Sequence, residues 1–444
     1  MKKLTQEDFQ ERRDHLASEM GLRSIAIIAT SKVAIRNQDA DYKYRPDSSF
    51  FYLTGFAEPE AVAVIETFDT YEEGYSYSLF LRERDREKEI WDGYRAGIDG
   101  AIDDYDADEA FAIDLLDDEI LDKLVSKDKL FYRIGQSAEF DTRVAGWIQQ
   151  ANAQQRRGFG APAQIVQLDS IVDEMRVFKS RKEIEIMQYA ADVSAQAHTR
   201  AMQVTKPGVT EYQVEAELIY EFGKNNCVPA YNSIVGGGKN ACILHYVEND
   251  QELKEGDLLL IDAGGEHQYY AADITRTFPV SGKFSPEQKA IYNIVLDAQY
   301  AAIDAVKVGN GYKAPHEAAV RVIVQGLLDL GIMQGDIEDI IEAGSFRQFF
   351  MHGTGHWLGL DVHDVGNYKI NGEWRPLEDG MVVTIEPGIY IAPDDETVEE
   401  KWRGIGVRIE DDVVVTNEGP LVLTEKVVKT VEDIEALMAQ AKVA

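Results

Sequence analysis

Cysteine is scarce: Cys227 and Cys242 are the only two in 444 residues. That is too few for a disulfide framework and points to a reducing compartment. Long apolar runs are missing as well. No stretch approaches the ~20 apolar residues a membrane-spanning helix needs, and the basic start of the chain turns acidic with no apolar segment behind it, so no secretory signal is expected. Basic residues are outnumbered, with 45 Lys plus Arg against 79 Asp plus Glu and a formal charge of −34. Nucleic acid and anionic membranes are disfavoured as partners, because attraction to phosphate needs basic patches. No low-complexity segment appears. These absences leave a globular, cytoplasmic chain, 45% apolar and long enough for two or three domains.

Residues 1–175 read as a smaller mixed α/β domain. The pattern predicts a helix over 6–20 and strands at Ser24–Thr30 and Ala61–Ile65, with aromatics clustered at Phe50, Phe51, Tyr52 and Phe56. Alternating Asp104, Asp106 and Asp108 imitate a calcium loop. Glu109 stands where such a loop needs Gly, and Leu115 where it needs Glu, so a solvated loop is expected. From Ser180 the pattern changes. Ser180 with Glu183, Thr210 with Gln213, and Ser285 with Gln288 have capping-box spacing, the last with Pro286 at the first helical position. These helix starts alternate with β-rich segments, which predicts an α+β domain over 176–444. The Gly236-Gly237-Gly238-Lys239 run lacks the following Ser or Thr of a phosphate loop.

A weak duplication is the most informative feature. The segment from Leu253 to Gly264 resembles that from Leu377 to Gly388 at a constant offset of 124. Each copy has a turn Gly, an apolar strand, a terminal carboxylate (Asp262 or Glu386) and another Gly. Each then returns through a strand with a further carboxylate, Asp273 in the first and Glu410 in the second. Two such halves about a pseudo-twofold axis would gather four carboxylates. Like charges this close cannot all ionise uncompensated; two divalent cations would balance them.

A nitrogen ligand has an obvious source. Three of the eight histidines, His352, His356 and His363, fall in one short segment. Gly353 and Gly355 argue against a helical zinc motif there and suit close backbone approach instead. His245 lies between the Gly-rich turn and the Asp262 strand, within reach of the same centre. His15, His198, His267 and His316 have no such context and read as structural or surface residues.

The segments around Asp262, Asp273, His352–Asp364, Glu386-Pro-Gly and Arg408-Ile-Glu410 resemble the pita-bread metallopeptidases, which include methionine aminopeptidase, prolidase, aminopeptidase P and creatinase. Tyr44–Phe56 resembles the N-terminal domain of the aminopeptidase P branch. The resemblance implies a pseudo-twofold pita-bread domain over 176–444 and an N-terminal domain that restricts substrates and supports oligomerisation. It implies that Asp262 holds one metal, that Asp273 and Glu410 bridge two, and that His356 and Glu386 hold the second. Mn²⁺ suits four oxygen-type ligands and one imidazole. The implied reaction is release of the N-terminal residue from peptides with proline second; a prolidase-type dipeptidase is the alternative. His245 and His363 are placed to stabilise the oxyanion, Glu386 to shuttle a proton, and His352 matches a site histidine. Strand periodicity puts Arg408 and Glu410 on one face, so Arg408 is expected to orient Glu410. Trp91, Tyr390, Arg375, Asp39 and Arg156 match substrate-binding positions. A homo-oligomer, dimer or tetramer, is implied, with peptides as the partner.

Overall fold

Helix Gln6–Met20 starts where the sequence signals it. The Thr5 backbone N–H and hydroxyl both donate to Asp8, at 2.7 and 2.9 Å, and Phe9, Leu16 and Met20 line its buried face. The computed structural model describes residues 3–154, 158 and 160–441. The chain divides between Met175 and Arg176 into two compact units. The first is built on a six-stranded sheet in the order Glu109–Ala112, Tyr75–Leu81, Val62–Thr67, Ser24–Ala29, Lys129–Tyr132, Gln164–Gln167. Ser24–Ala29 runs antiparallel to one neighbour and parallel to the other. Ile25, Ile27, Val64, Phe80 and Leu130 pack around it with Trp147; each such side chain contributes ~1.5–3 kcal/mol on burial. The acidic stretch after Asp103 is a loop between helix Gly97–Asp103 and strand Glu109–Ala112.

The second unit has the α+β, pseudo-twofold pita-bread architecture. Its helices Arg181–Val204, Glu211–Lys224 and Pro286–Asp304 open on the three capping pairs. Ser285 N–H donates to Gln288 at 2.9 Å, and Gln288 N–H returns to the Ser285 hydroxyl at 3.1 Å. Strand Leu258–Asp262 lies between Ile234–Gly237 and Thr275–Pro279. Its counterpart Val382–Ile385 pairs with Asp411–Val414, and Gly388–Tyr390 pairs with Gly406–Arg408. The halves join where Glu410 N–H donates to Thr275 O at 3.0 Å and the Thr277 hydroxyl donates to Arg408 O at 2.9 Å. Beneath them, the fully buried Arg276 and Asp411 pair at 2.7 Å.

Register corrects one part of the duplication. Asp262 faces Thr275. In the second half one register runs from Ile385–Asp411 to Gly388–Arg408, which sets Glu386 opposite Glu410. Glu410 is therefore the counterpart of Thr275, and Arg408 that of Asp273. The backbones repeat, but the carboxylates of the return strands do not. The Gly-rich turn is committed elsewhere: Gly237 N–H and the Asn240 amide both donate to Glu211, at 2.7 and 3.0 Å. A carboxylate at that position repels phosphate.

Candidate metal centre

Asp262 is the last residue of its apolar strand, and Glu386 directly follows its own. Glu386 N–H donates to Thr354 O at 2.8 Å, tying its strand end to the histidine segment. Thr384 N–H donates to His356 O at 2.9 Å, and His356 N–H to the Thr384 hydroxyl at 3.0 Å. These contacts need Gly355: a Cβ there would lie 1.9 Å from Thr384 O. Asp273, His356 and Glu410 each present a ligand atom within 4.8 Å of the others. Asp262 and Glu386 line the same cleft of about 240 Å³, together with His245, His352, His363 and Arg408.

The orientation of His356 follows from its neighbours. Its Nδ1 lies 2.9 Å from Trp357 O. A carbonyl only accepts, so Nδ1 carries the proton and Nε2 faces the cleft, 3.5 Å from Asp273 and 3.8 Å from Glu386. The His352 Nδ1 lies 2.7 Å from Gly353 O and donates to it, while Nε2 accepts from the Tyr390 hydroxyl at 2.8 Å. Tyr390 in turn accepts from Arg408 at 3.0 Å.

The cluster is short of positive charge. Burial raises the Glu410 and Asp273 carboxyls above the usual range, and the neighbouring carboxylates push them further. Burial also carries Glu386 up to about 7, against the opposing pull of His356 and Arg408. For His356, burial disfavours the imidazolium, but Asp273 and Glu386 outweigh it and bring the value up to about 9. Burial and the Arg408 cation lower His352 to about 4, so its ring is neutral near pH 7. Four carboxylates and an imidazole Nε2 directed into one cleft are a donor set that fits divalent cations.

The cleft brings together Asp262, Asp273, His356, Glu386, Glu410, His245, His352, His363 and Arg408. Arg408 departs from expectation. Its Nη2 donates to Asp262 at 2.6 Å, its Nη1 to Tyr390 and its Nε to the Thr275 hydroxyl at 3.1 Å. Thr275 then donates to Glu410 at 2.6 Å. Same-face positions on a strand are roughly 7 Å apart, so the guanidinium passes Glu410 and reaches it only through Thr275. Tyr390 is buried, with its hydroxyl engaged between His352 and Arg408. Arg375 is 1% exposed, over the Phe178 ring and 3.6 Å from Glu378, and does not line the cleft. Trp91, on helix Arg86–Asp92, is 86% exposed, and Asp39 is exposed in the turn after Ile35–Asn37; both belong to the first unit. Arg156 lies outside the described residues.

Two contributors carry no signature in the sequence. The Tyr231 hydroxyl lies 2.6 Å from an Asp262 oxygen and within hydrogen-bond reach of Asp273, with one proton for the two. Asp412 accepts the Asp273 backbone N–H at 3.1 Å. Tyr231 lies three residues before Ile234, which pairs with Asp262; only that register reveals it.

Two matched half-sheets holding acidic groups at their junction define a class of metal-dependent hydrolase, and the chain belongs to metallopeptidase family M24, whose model matches residues 185–417. Residues 9–132 match the aminopeptidase P N-terminal domain. The Xaa-Pro aminopeptidase of Escherichia coli (strain K12) is 44% identical over 444 residues, covering 100% of both chains. Human Xaa-Pro aminopeptidase 3 is 34% identical over 99% of this chain and 87% of its own. Among solved structures, Pseudomonas aeruginosa aminopeptidase PepP superposes with a TM-score of 0.97 at 52% identity, covering 100% of both chains. E. coli aminopeptidase P with the inhibitor Pro-Leu gives 0.96 at 44%, again with full coverage.

Proposed function

We propose that the chain is a metallo-aminopeptidase that releases the N-terminal residue from peptides with proline in the second position. The observation that carries this is the convergence of Asp262, Asp273, His356, Glu386 and Glu410 on one cleft, in a chain similar end to end to Xaa-Pro aminopeptidases. In this reading Asp262, Asp273, His356, Glu386 and Glu410 would hold two divalent cations, with Asp273 and Glu410 shared between them. Mn²⁺ is the cation the oxygen-rich donor set favours. Divalent cations held there would supply Lewis-acid chemistry, acidifying a water and polarising the scissile carbonyl.

The protein's own groups do the rest. His363 and His245 donate hydrogen bonds toward the oxygen of the scissile carbonyl as charge develops on it. Glu386, which faces His356 across the cleft, takes the proton released by the attacking water and delivers it to the departing ring nitrogen, which leaves as an amine. The acidic interior favours the substrate's free ammonium group. Arg408 fixes Asp262, and His352 with Tyr390 braces Arg408 from the other side. A strict dipeptidase must also bind the proline carboxylate, and the buried Arg375 offers no cation for it; a longer peptide has an amide there.

The reading includes a cytoplasmic homo-oligomer, dimer or tetramer. Support comes from Ile90, Trp91 and Tyr94, at 76%, 86% and 90% exposure on one short segment: an apolar group of this kind suits a protein partner. No helix among the described residues is long and apolar enough to cross a membrane. Trp91, Asp39 and Arg156 belong to substrate binding through such an assembly.

The test is hydrolysis of an Xaa-Pro dipeptide, the same sequence extended by two residues, and its N-acetylated form, with chelator or added Mn²⁺. We expect cleavage of the extended peptide only when metal is supplied, with the acetylated peptide intact. Cleavage of the dipeptide alone would replace this reading by a prolidase.

A further inference from the structure

His363 has to be held in place by something other than itself. Among the described residues no hydrogen bond reaches its ring; its one aromatic contact is edge-on to His356, with centroids 4.3 Å apart. It sits in Trp357–Asp364, a segment without helix or extended strand. The position of the imidazole is therefore the position of this loop's backbone.

That backbone is gripped on both sides of His363 by one guanidinium. Arg176 Nη2 lies 2.7 Å from an Asp361 oxygen and 2.6 Å from an Asp364 oxygen. The other Asp364 oxygen accepts from Lys179 Nζ at 3.0 Å. The Arg176, Lys179 and Asp364 side chains are 3%, 1% and 1% exposed, so the pairs to Asp364 are shielded from solvent and salt; Asp361, at 38%, is at the solvent edge of the clamp. Arg176 lies in the last turn of helix Asp169–Val177 and belongs, with the loop, to the second unit. The loop is shaped to close around the grip. Asp364 N–H donates to Trp357 O at 2.9 Å, Gly359 N–H to Asp361 O at 3.1 Å, and Ala271 N–H to Gly359 O at 2.9 Å. A Cβ on Gly359 would lie 2.2 Å from the Asp364 carboxylate, so the tight curl and the ion pair require each other.

We propose that Arg176, assisted by Lys179, is the positioning residue for His363: it clamps Asp361 and Asp364 so that the imidazole between them is presented to the scissile carbonyl. The proposal rests on the role given to His363 in the reaction. In this role Arg176 acts on catalysis through the loop, by way of Asp361 and Asp364. Both carboxylates meet the one nitrogen Nη2, and a guanidinium stays charged at every working pH, so the clamp does not depend on protonation.

The experiment is a double-mutant cycle on the metal-loaded enzyme with an Xaa-Pro-Yaa peptide. His363→Ala is expected to lower kcat by roughly 10²–10³-fold, the scale for one oxyanion donor. Arg176→Gln is expected to lower kcat by about 10–100-fold, with KM and bound metal unchanged, since an ångström of misplacement is worth up to about 10²-fold. In the His363→Ala background Arg176→Gln should cost less than about two-fold, because both changes remove the same contribution. Arg176→Lys should recover part of kcat in the wild-type background only. Additive losses, or loss of metal in the Arg176 variant, would overturn the positioning role while leaving that of His363 standing. A fully active His363→Ala enzyme would remove the reading beneath it and the proposal together. Should Arg176→Gln fail to fold, Arg176→Lys and Lys179→Met complete the same cycle, and additive losses there overturn the positioning role in the same way.

Discussion

One hydroxyl proton with two carboxylate claimants makes Tyr231 the most consequential residue the sequence did not announce. Its oxygen lies between Asp262 and Asp273, and a tyrosine donates only once, so it fixes the orientation of both carboxylates while satisfying one at a time. Groups that orient metal ligands in this way are typically worth about 10–100-fold in metal affinity. Tyr231→Phe keeps the ring and removes the donor. Its Mn²⁺ dissociation constant should rise by that factor with little change in fold, as read by metal titration and circular dichroism; an unchanged constant would show the hydroxyl to be incidental. The acids and histidines of the cleft were legible because Asp262 and Glu386 close apolar runs two residues before a Gly and His356 follows Gly355, all chemically conspicuous. Tyr231 and Asp412 were not, because a tyrosine just before a strand and an acid inside one have a purpose only once the strand pairing is known. Arg408 shows the same limit. Periodicity placed it on the Glu410 face correctly, but its reach along that face, to Asp262, depends on side-chain direction.

Helix starts were the elements most open to prediction, since a capping box is a local interaction whose partners are three residues apart. Sheet register is a long-range property, and there the duplication misled: it matched Asp273 with Glu410, whereas the pairing matches Glu410 with Thr275. The glycines of the histidine segment can now be separated by what surrounds them. Gly355 lies against the Val382–Ile385 strand, with Tyr312 donating to its carbonyl at 2.6 Å; Gly353 would place a Cβ in open space, its nearest neighbour 4.0 Å away. Gly355→Ala should therefore push the His356 backbone off the strand. The expected cost is ~2–3 kcal/mol of stability, a Tm lower by about 5 °C or more, and loss of most bound metal. Gly353→Ala should leave Tm within about 2 °C. Paired melting curves and metal analysis decide it, and equal behaviour of the two variants would refute the close-approach argument.

For the molecule as a whole, the change of pattern near residue 175 was legible because local helix signals change there, and the acidity was legible as a field, though not as a site. A net charge of −34 draws small cations toward the protein generally; capture by the cleft is a different event. Three of the crowded carboxylates and the imidazole hold on to protons: Asp273 and Glu410 are raised, Glu386 is pushed up to about 7 and His356 to about 9. A group whose value is raised is protonated over more of the pH range, and a metal ligand must give that proton up. Loading the centre is thus an exchange of acid for metal. Apparent affinity should fall as pH drops through about 7, and more protons should be expelled per enzyme at pH 6 than at pH 8. Calorimetric titration with Mn²⁺ in two buffers of unlike ionisation enthalpy measures that count directly, and identical heats in both at pH 6 would contradict it. In unbuffered solution, an enzyme of this kind should announce its own activation by turning the medium sour.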